Sequence, residues 1–155
     1  MNSKFRRLIE SLEPSFQKLI TMEPVSAGSL PVGTPKAGIY LFSEGDSHLY
    51  VGRTNRMRRR LQQHCQPSAG HNAATFAFLL ARKLTDNLKA SYTEKNSRSA
   101  LESDPKFKNA FLQQKERVRN MHVRFVSQPD PLRQALLEMY VAISLGTPYN
   151  DFDNH

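Results

Sequence analysis

The sequence predicts an α+β fold, and three observations carry that prediction. Two short runs rich in β-branched and aromatic residues, Gly38-Ile39-Tyr40-Leu41-Phe42 and His48-Leu49-Tyr50-Val51-Gly52, flank a polar stretch and read as a hairpin. A third run, Met121 to Ser127, sets His122, Arg124 and Val126 against Met121, Val123 and Phe125, which is the alternation of a strand. Apolar residues at helical spacing occupy most of the remaining chain.

At the N-terminus, Phe5, Leu8, Ile9 and Leu12 fall on one face of an amphipathic helix over residues 3–12, with Ser3 placed to cap it. Pro14 breaks that helix, and Phe16, Leu19 and Ile20 suggest a further helical piece. Residues 23–35 are rich in Pro, Gly and Ser and read as a loop into the first strand. Residues 1–35 are therefore expected to form a helical extension packed on a domain of residues 36–155.

If Phe42 pairs with His48 across a five-residue loop, Tyr40 faces Tyr50 on one side of the sheet. Ile39, Leu41, Leu49 and Val51 then share the other side. The run RTNRMRRRLQQH that follows predicts a basic helix, capped by Thr54 or Asn55, with Arg56, Arg60 and His64 on one face. Two phenols, a guanidinium and an imidazole beside a helix start suit a phosphodiester, because Arg gives bidentate contacts to phosphate oxygens and phenols relay protons.

Residues 72–84 carry Phe76, Leu79, Leu80 and Leu84 at helical spacing, and the polar stretch 85–103 is expected to be exposed. Ser103 or Asp104 followed by Pro105 opens another helix with Phe107, Phe111 and Val118 on its buried side, so a helical insertion is expected at about residues 72–118. Asp130-Pro131 starts the last helix, which Gly146 and Pro148 stop. Within it, every residue from Ala135 to Ile143 except Glu138 is apolar or aromatic, so the helix is expected to be buried on nearly every side. A buried carboxylate is costly alone, so Glu138 needs a cation: a metal ion, or an arginine such as Arg133 or Arg60.

A net charge of +8 and a pI near 9.9 point to a polyanionic partner, nucleic acid before membrane. Cys65 is the sole cysteine, which excludes a disulfide framework and a cysteine-based zinc site. No apolar run reaches the length of a membrane span, and the charged N-terminus lacks a signal-peptide core. A soluble cytoplasmic protein is the expectation.

Gly38-Ile39-Tyr40, then Tyr50-Val51-Gly52 with its tyrosine ten residues after the first, then Arg60 and His64, resemble the GIY-YIG endonuclease domain. Val51 stands where the family's second tripeptide has Ile. The resemblance covers residues 38–64 and resumes near the C-terminus, where Glu138 and Asn150 match a Glu in the family's last core helix and an Asn downstream. It implies a small three-stranded antiparallel sheet flanked by helices and a phosphodiester hydrolysed by an in-line water. It further implies one divalent metal per active site, Mg²⁺ or Mn²⁺, held by Glu138.

In that reading Arg60 neutralises the transition state, Tyr40 or Tyr50 positions or deprotonates the water, and His64 and Asn150 complete the catalytic set. A free phenol ionises near about pH 10, so a phenolic base needs positive charge nearby, from Arg53, Arg60 or His64. Arg53, Arg56, Arg58, Arg59 and His71 are the expected nucleic-acid contacts. The substrate implied is DNA, duplex or branched, with RNA open and targeting by a partner protein or a homodimer. Two other readings are a nucleic-acid-binding module that keeps the fold without catalysis, and a basic face that docks an acidic protein.

Overall fold

The computed structural model describes residues 1–85 and 97–152, so most of the polar stretch expected over 85–103 lies outside the described residues. The elements run α1 (Ser3–Glu10), α2 (Glu13–Thr21), β1 (Val25–Ser26), β2 (Gly38–Glu44), β3 (Ser47–Thr54), α3 (Met57–Cys65), α4 (Thr75–Leu84), α5 (Arg98–Ser103), α6 (Pro105–Arg119), β4 (His122–Ser127) and α7 (Pro131–Leu145). The chain divides into two compact units: Met1–Arg58 with His122–His155, and Arg59–Met121. The boundary falls inside α3, between Arg58 and Arg59.

The first unit is built on an antiparallel sheet in the order β1-β4-β2-β3. The α+β fold is the expected one, but the sheet has four strands where three were predicted. The extra strand is β1, whose Val25 pairs with Val123 and Ser26 with His122. Two residues are too few to show a strand period, and β4 recruits them from what reads as a loop.

The hairpin forms, in a different register from the one predicted. Phe42 pairs with Tyr50, not His48, and Tyr40 pairs with Gly52, with an irregularity between Phe42 and Ser43. The cause is a tighter connection: the strands close on Gly45-Asp46 alone, with Gly45 at φ 59°, a left-handed conformation that glycine adopts without steric cost. A slide of two positions preserves the face of every side chain, so both tyrosines still leave from one side. Ile39, Leu41 and Val51 leave from the other and enter the core with Leu12, Phe16, Leu19, Val126, Leu137, Val141 and Ala142. The N-terminal helices thus supply part of the sheet's own core.

Caps explain the helix ends. Asn2, not Ser3, caps α1, its side chain accepting from the backbone N–H groups of Lys4 and Phe5. Pro14 sits in the first turn of α2, where its missing N–H costs nothing, so it starts a helix as well as ending one. Asp130 caps α7 through Arg133 N at 2.8 Å, and Gly146 ends it at φ 62°. The expectation that α7 is buried all round is not met: Leu132, Met139 and Ile143 are exposed, while Gln134, Leu137, Val141 and Ala142 are buried.

The second unit is helical. Phe78 meets Phe107 at 5.1 Å and Phe111 at 5.4 Å between ring centroids, both edge-on, and all three rings are buried. Phe76, Leu80 and Leu101 are buried as well, whereas Leu84, expected on the buried side of α4, is exposed. No helix among the described residues is long and apolar enough to cross a membrane.

Candidate active site

The hairpin decides where the sheet unit's candidate residues point. Tyr40 and Tyr50 lie with ring centroids 6.5 Å apart, and Tyr40 meets Phe42 edge-on at 5.8 Å. Tyr40 is 1% exposed and Tyr50 is half-buried. The Tyr40 ring lies over Gly52, where an added Cβ would collide with its hydroxyl and ring carbons. The glycine of the second tripeptide is therefore the space that the tyrosine of the first one fills.

Alternation along β3 sends Tyr50 and Gly52 to one face and Val51 and Arg53 to the other. On that second face Arg53 Nε lies 3.3 Å from Glu138 Oε2, with the two side chains 45% and 25% exposed. Burial pushes the Glu138 carboxyl above its ordinary value, and the Arg53 guanidinium pulls it partly back. One cation beside Glu138 is therefore Arg53, and it offsets the cost of burial only in part. Arg133 is instead spent on Ser11, donating to its Oγ at 2.8 Å and its carbonyl at 3.1 Å.

Asn150 closes the free edge of β3. Its side-chain amide pairs with the Val51 backbone in both directions, Oδ1 accepting from Val51 N at 2.9 Å and Nδ2 donating to Val51 O at 2.7 Å. Thr147 Oγ1 donates to the same Oδ1 at 2.7 Å. Such pairing satisfies an edge strand that would otherwise present open backbone groups. Gln134, which the sequence reading did not single out, ties α7 to the segment after β3, donating to Asn55 Oδ1 at 2.9 Å and Gln128 O at 2.6 Å.

Arg56 is not on the helix that was to align it with Arg60 and His64, because α3 begins at Met57, whose N–H donates to Lys36 O at 2.8 Å. Thr54 Oγ1 accepts from Arg56 N at 3.0 Å, a bond within the turn before the helix. It is not the cap expected of Thr54 or Asn55, because α3 begins further on, at Met57. Arg58 Nη2 donates to Pro31 O at 2.6 Å, and Arg56, Arg58 and Arg59 are exposed.

In the helical unit, Arg60 Nη1 donates to Ala73 O at 2.8 Å and to Gln63 Oε1 at 3.4 Å, and Nη2 donates to Thr75 Oγ1 at 3.1 Å. His64 is fully buried; desolvation, helped by the Arg60 charge, holds its pKa well below the usual imidazole value, so the ring is neutral at neutral pH. His71 is engaged by Glu102, which bonds the ring Nδ1 and accepts from His71 N at 3.4 Å.

Tyr50, Arg53, Glu138 and Asn150 are thus joined through β3 within the sheet unit, with Tyr40 packed on the same strand, while Arg60, His64 and His71 belong to the helical unit. A carbonyl-clamped Arg60 was not legible beforehand, since its partners lie beyond the helix that carries it. Arg53 as the partner of Glu138 was not legible either: Arg133 and Arg60 were the arginines expected there, and it is the sheet that brings Arg53, two residues past Val51, to the α7 face.

A family model described as the GIY-YIG catalytic domain matches residues 36–118, more than half of the chain. The matched span holds Tyr40, Tyr50, Arg60, His64 and His71, and stops short of Glu138 and Asn150. No curated protein and no solved structure matches the chain significantly. With both tripeptides set in one antiparallel hairpin and more than half of its length matched, the chain belongs to the GIY-YIG family and carries that family's nuclease-type fold.

Proposed function

We propose that the chain is a metal-dependent endonuclease that hydrolyses phosphodiester bonds in DNA. The observation that carries this reading is Glu138: a carboxylate three-quarters buried, raised in pKa by that burial, and faced by the Arg53 guanidinium beside the edge strand that bears Tyr50. Such an acid is poorly placed for stability and well placed to accept a cation.

The donor set fits a hard divalent ion better than a caged transition metal. Among the described residues no cluster of three or more His, Cys, Asp or Glu side chains could hold a metal, whereas Mg²⁺ is content with one carboxylate plus waters and phosphate oxygens. Glu138 is the residue that would hold it, and the ion when bound would stabilise charge on the leaving oxygen.

The chain's own residues divide the remaining work. Tyr50 is the phenol nearer solvent, so Tyr50 Oη holds the attacking water by accepting its hydrogen bond, and Tyr40 braces that ring from behind. Arg60 offers guanidinium N–H groups to the phosphate. His64, buried and neutral, backs Arg60 on α3 instead of meeting substrate. The exposed Arg56, Arg58 and Arg59 supply non-specific backbone attraction.

A second reading, a binding module without catalysis, draws support from the partners that Glu138 and Asn150 already have in Arg53 and Val51. The two part on one experiment: labelled duplex, branched, single-stranded and RNA substrates incubated with wild type and Glu138→Ala, in Mg²⁺, Mn²⁺ or EDTA. The nuclease reading expects cutting by wild type alone, lost in EDTA. Binding of several substrates by both proteins, with none cut, establishes the silent module.

A further inference from the structure

Three side chains of the helical unit hold one loop, the connection between α3 and α4. Lys115 Nζ, on a residue only 6% exposed, donates to Pro67 O at 2.6 Å and Ala69 O at 2.9 Å, and lies 4.3 Å above the Phe111 ring. Glu102 holds His71 at both its backbone N–H and its ring Nδ1. Arg60 closes the far end on Ala73 O and Thr75 Oγ1. The loop is short, and each of its ends is fixed by a charged side chain from a different helix.

The Arg60 contacts share one property: every oxygen they use is neutral. A carbonyl, an amide and a hydroxyl orient a guanidinium without cancelling its charge. Of five N–H donors these bonds use three, and the donors they do not use, Nε–H and one hydrogen on Nη2, are those that a side-on fork to two phosphate oxygens would draw on. Thr75 is the contact that fixes Nη2, and its hydroxyl has no capping duty, since the α4 cap position is Ala74, which makes no side-chain bond.

We propose that Thr75 is a positioning residue for Arg60: its hydroxyl sets the plane of the guanidinium, and the Lys115- and Glu102-held loop sets Thr75. The inference rests on the reading of Arg60 as the phosphate-binding group. An arginine free to rotate about its last bonds binds an anion nearly as well, but presents the fork to the transition state in a smaller fraction of encounters, so the effect falls on the chemical step.

The test pairs Thr75→Val, which keeps shape and removes the hydroxyl, with Thr75→Ser, which keeps the hydroxyl. One arm follows the Arg60 guanidinium by NMR, and the other measures kcat and KM on whichever DNA wild type cuts. Thr75→Val is expected to free guanidinium rotation and to lower kcat by about 10- to 100-fold with KM within about twofold. Thr75→Ser restores both, and the three melting temperatures stay close. Unchanged Arg60 rotation in Thr75→Val overturns the proposal, as does a loss confined to KM or one that Thr75→Ser does not rescue. A wild type that cuts nothing, with rotation still freed in Thr75→Val, sinks the nuclease reading while upholding the contact.

Discussion

Two charged sites, one in each unit, are held in opposite ways. In the sheet unit, Arg53 and Glu138 are matched charge against charge at 3.3 Å. In the helical unit, Arg60 and Lys115 are held by carbonyl, amide and hydroxyl oxygens. The first arrangement neutralises a pair that, on the proposed function, a metal ion would break. The second fixes a cation in place with its charge intact. A phosphodiester hydrolase needs both kinds: a carboxylate that can exchange partners, and a guanidinium that stays where it is while negative charge develops.

The sharpest way to break this comparison is to remove each arginine in turn. Arg60→Ala is expected to lower kcat by about 10²- to 10³-fold, the usual cost of losing one oriented donor to a developing anion. Arg53→Ala removes a half-exposed partner whose charge is already engaged, and cleavage at saturating Mg²⁺ is expected to stay within about fivefold of wild type. Steady-state kinetics on the same DNA substrate decides it. Equal losses would mean that the ion pair and the clamped arginine do the same job.

Stability should separate the units the other way. Lys115→Met leaves the carbonyls of Pro67 and Ala69 without their buried donor, at a cost of about 1–3 kcal/mol in chemical denaturation. Glu138→Gln removes a charge that burial opposes, and is expected to change stability by less than about 1 kcal/mol while abolishing cleavage. A Glu138→Gln protein that unfolds more readily than Lys115→Met would identify the ion pair as a structural brace.

These contrasts mark what was legible in the sequence. Alternation placed Ile39, Leu41 and Val51 in the core and both tyrosines on the opposite face, and it survived a wrong register because the slide was even. The turn itself was not legible, since a glycine's left-handed φ and a strand irregularity shorten it in ways that a run of polar residues does not announce. β1 lacked the length to carry a period. For Glu138 the requirement for a cation followed from its apolar neighbours alone, but its partner came from a strand eighty-five positions earlier, a pairing only the fold creates. Composition also overstated the burial of α7, because an apolar residue such as Ile143 can face solvent without breaking any rule. Lys115, Glu102 and Thr75 read as ordinary polar positions, and only the loop they hold gives them meaning.

The smallest effect is the most discriminating, because its sign differs between the units. The folded-state pKa of Glu138 is raised above its ordinary 4.5, so the native state binds that proton more tightly and this contribution to stability is lost as pH rises from 4.5 through the folded value. His64 is the reverse: its folded pKa lies well below 6.5, so its contribution is present above 6.5 and is lost as pH falls through the folded value. His64 is fully buried and Glu138 is one-quarter exposed, so the histidine should dominate, and stability should climb with pH below 6.5. One proton sets the steepest contribution from His64 at about 1.4 kcal/mol per pH unit. Denaturation curves between pH 4.5 and 7 are expected to flatten in His64→Phe and to steepen slightly in Glu138→Gln, where the opposing contribution is gone. A His64→Phe curve as steep as wild type would mean that another group titrates there, and a flatter Glu138→Gln curve would mean that Arg53 outweighs burial at the carboxylate.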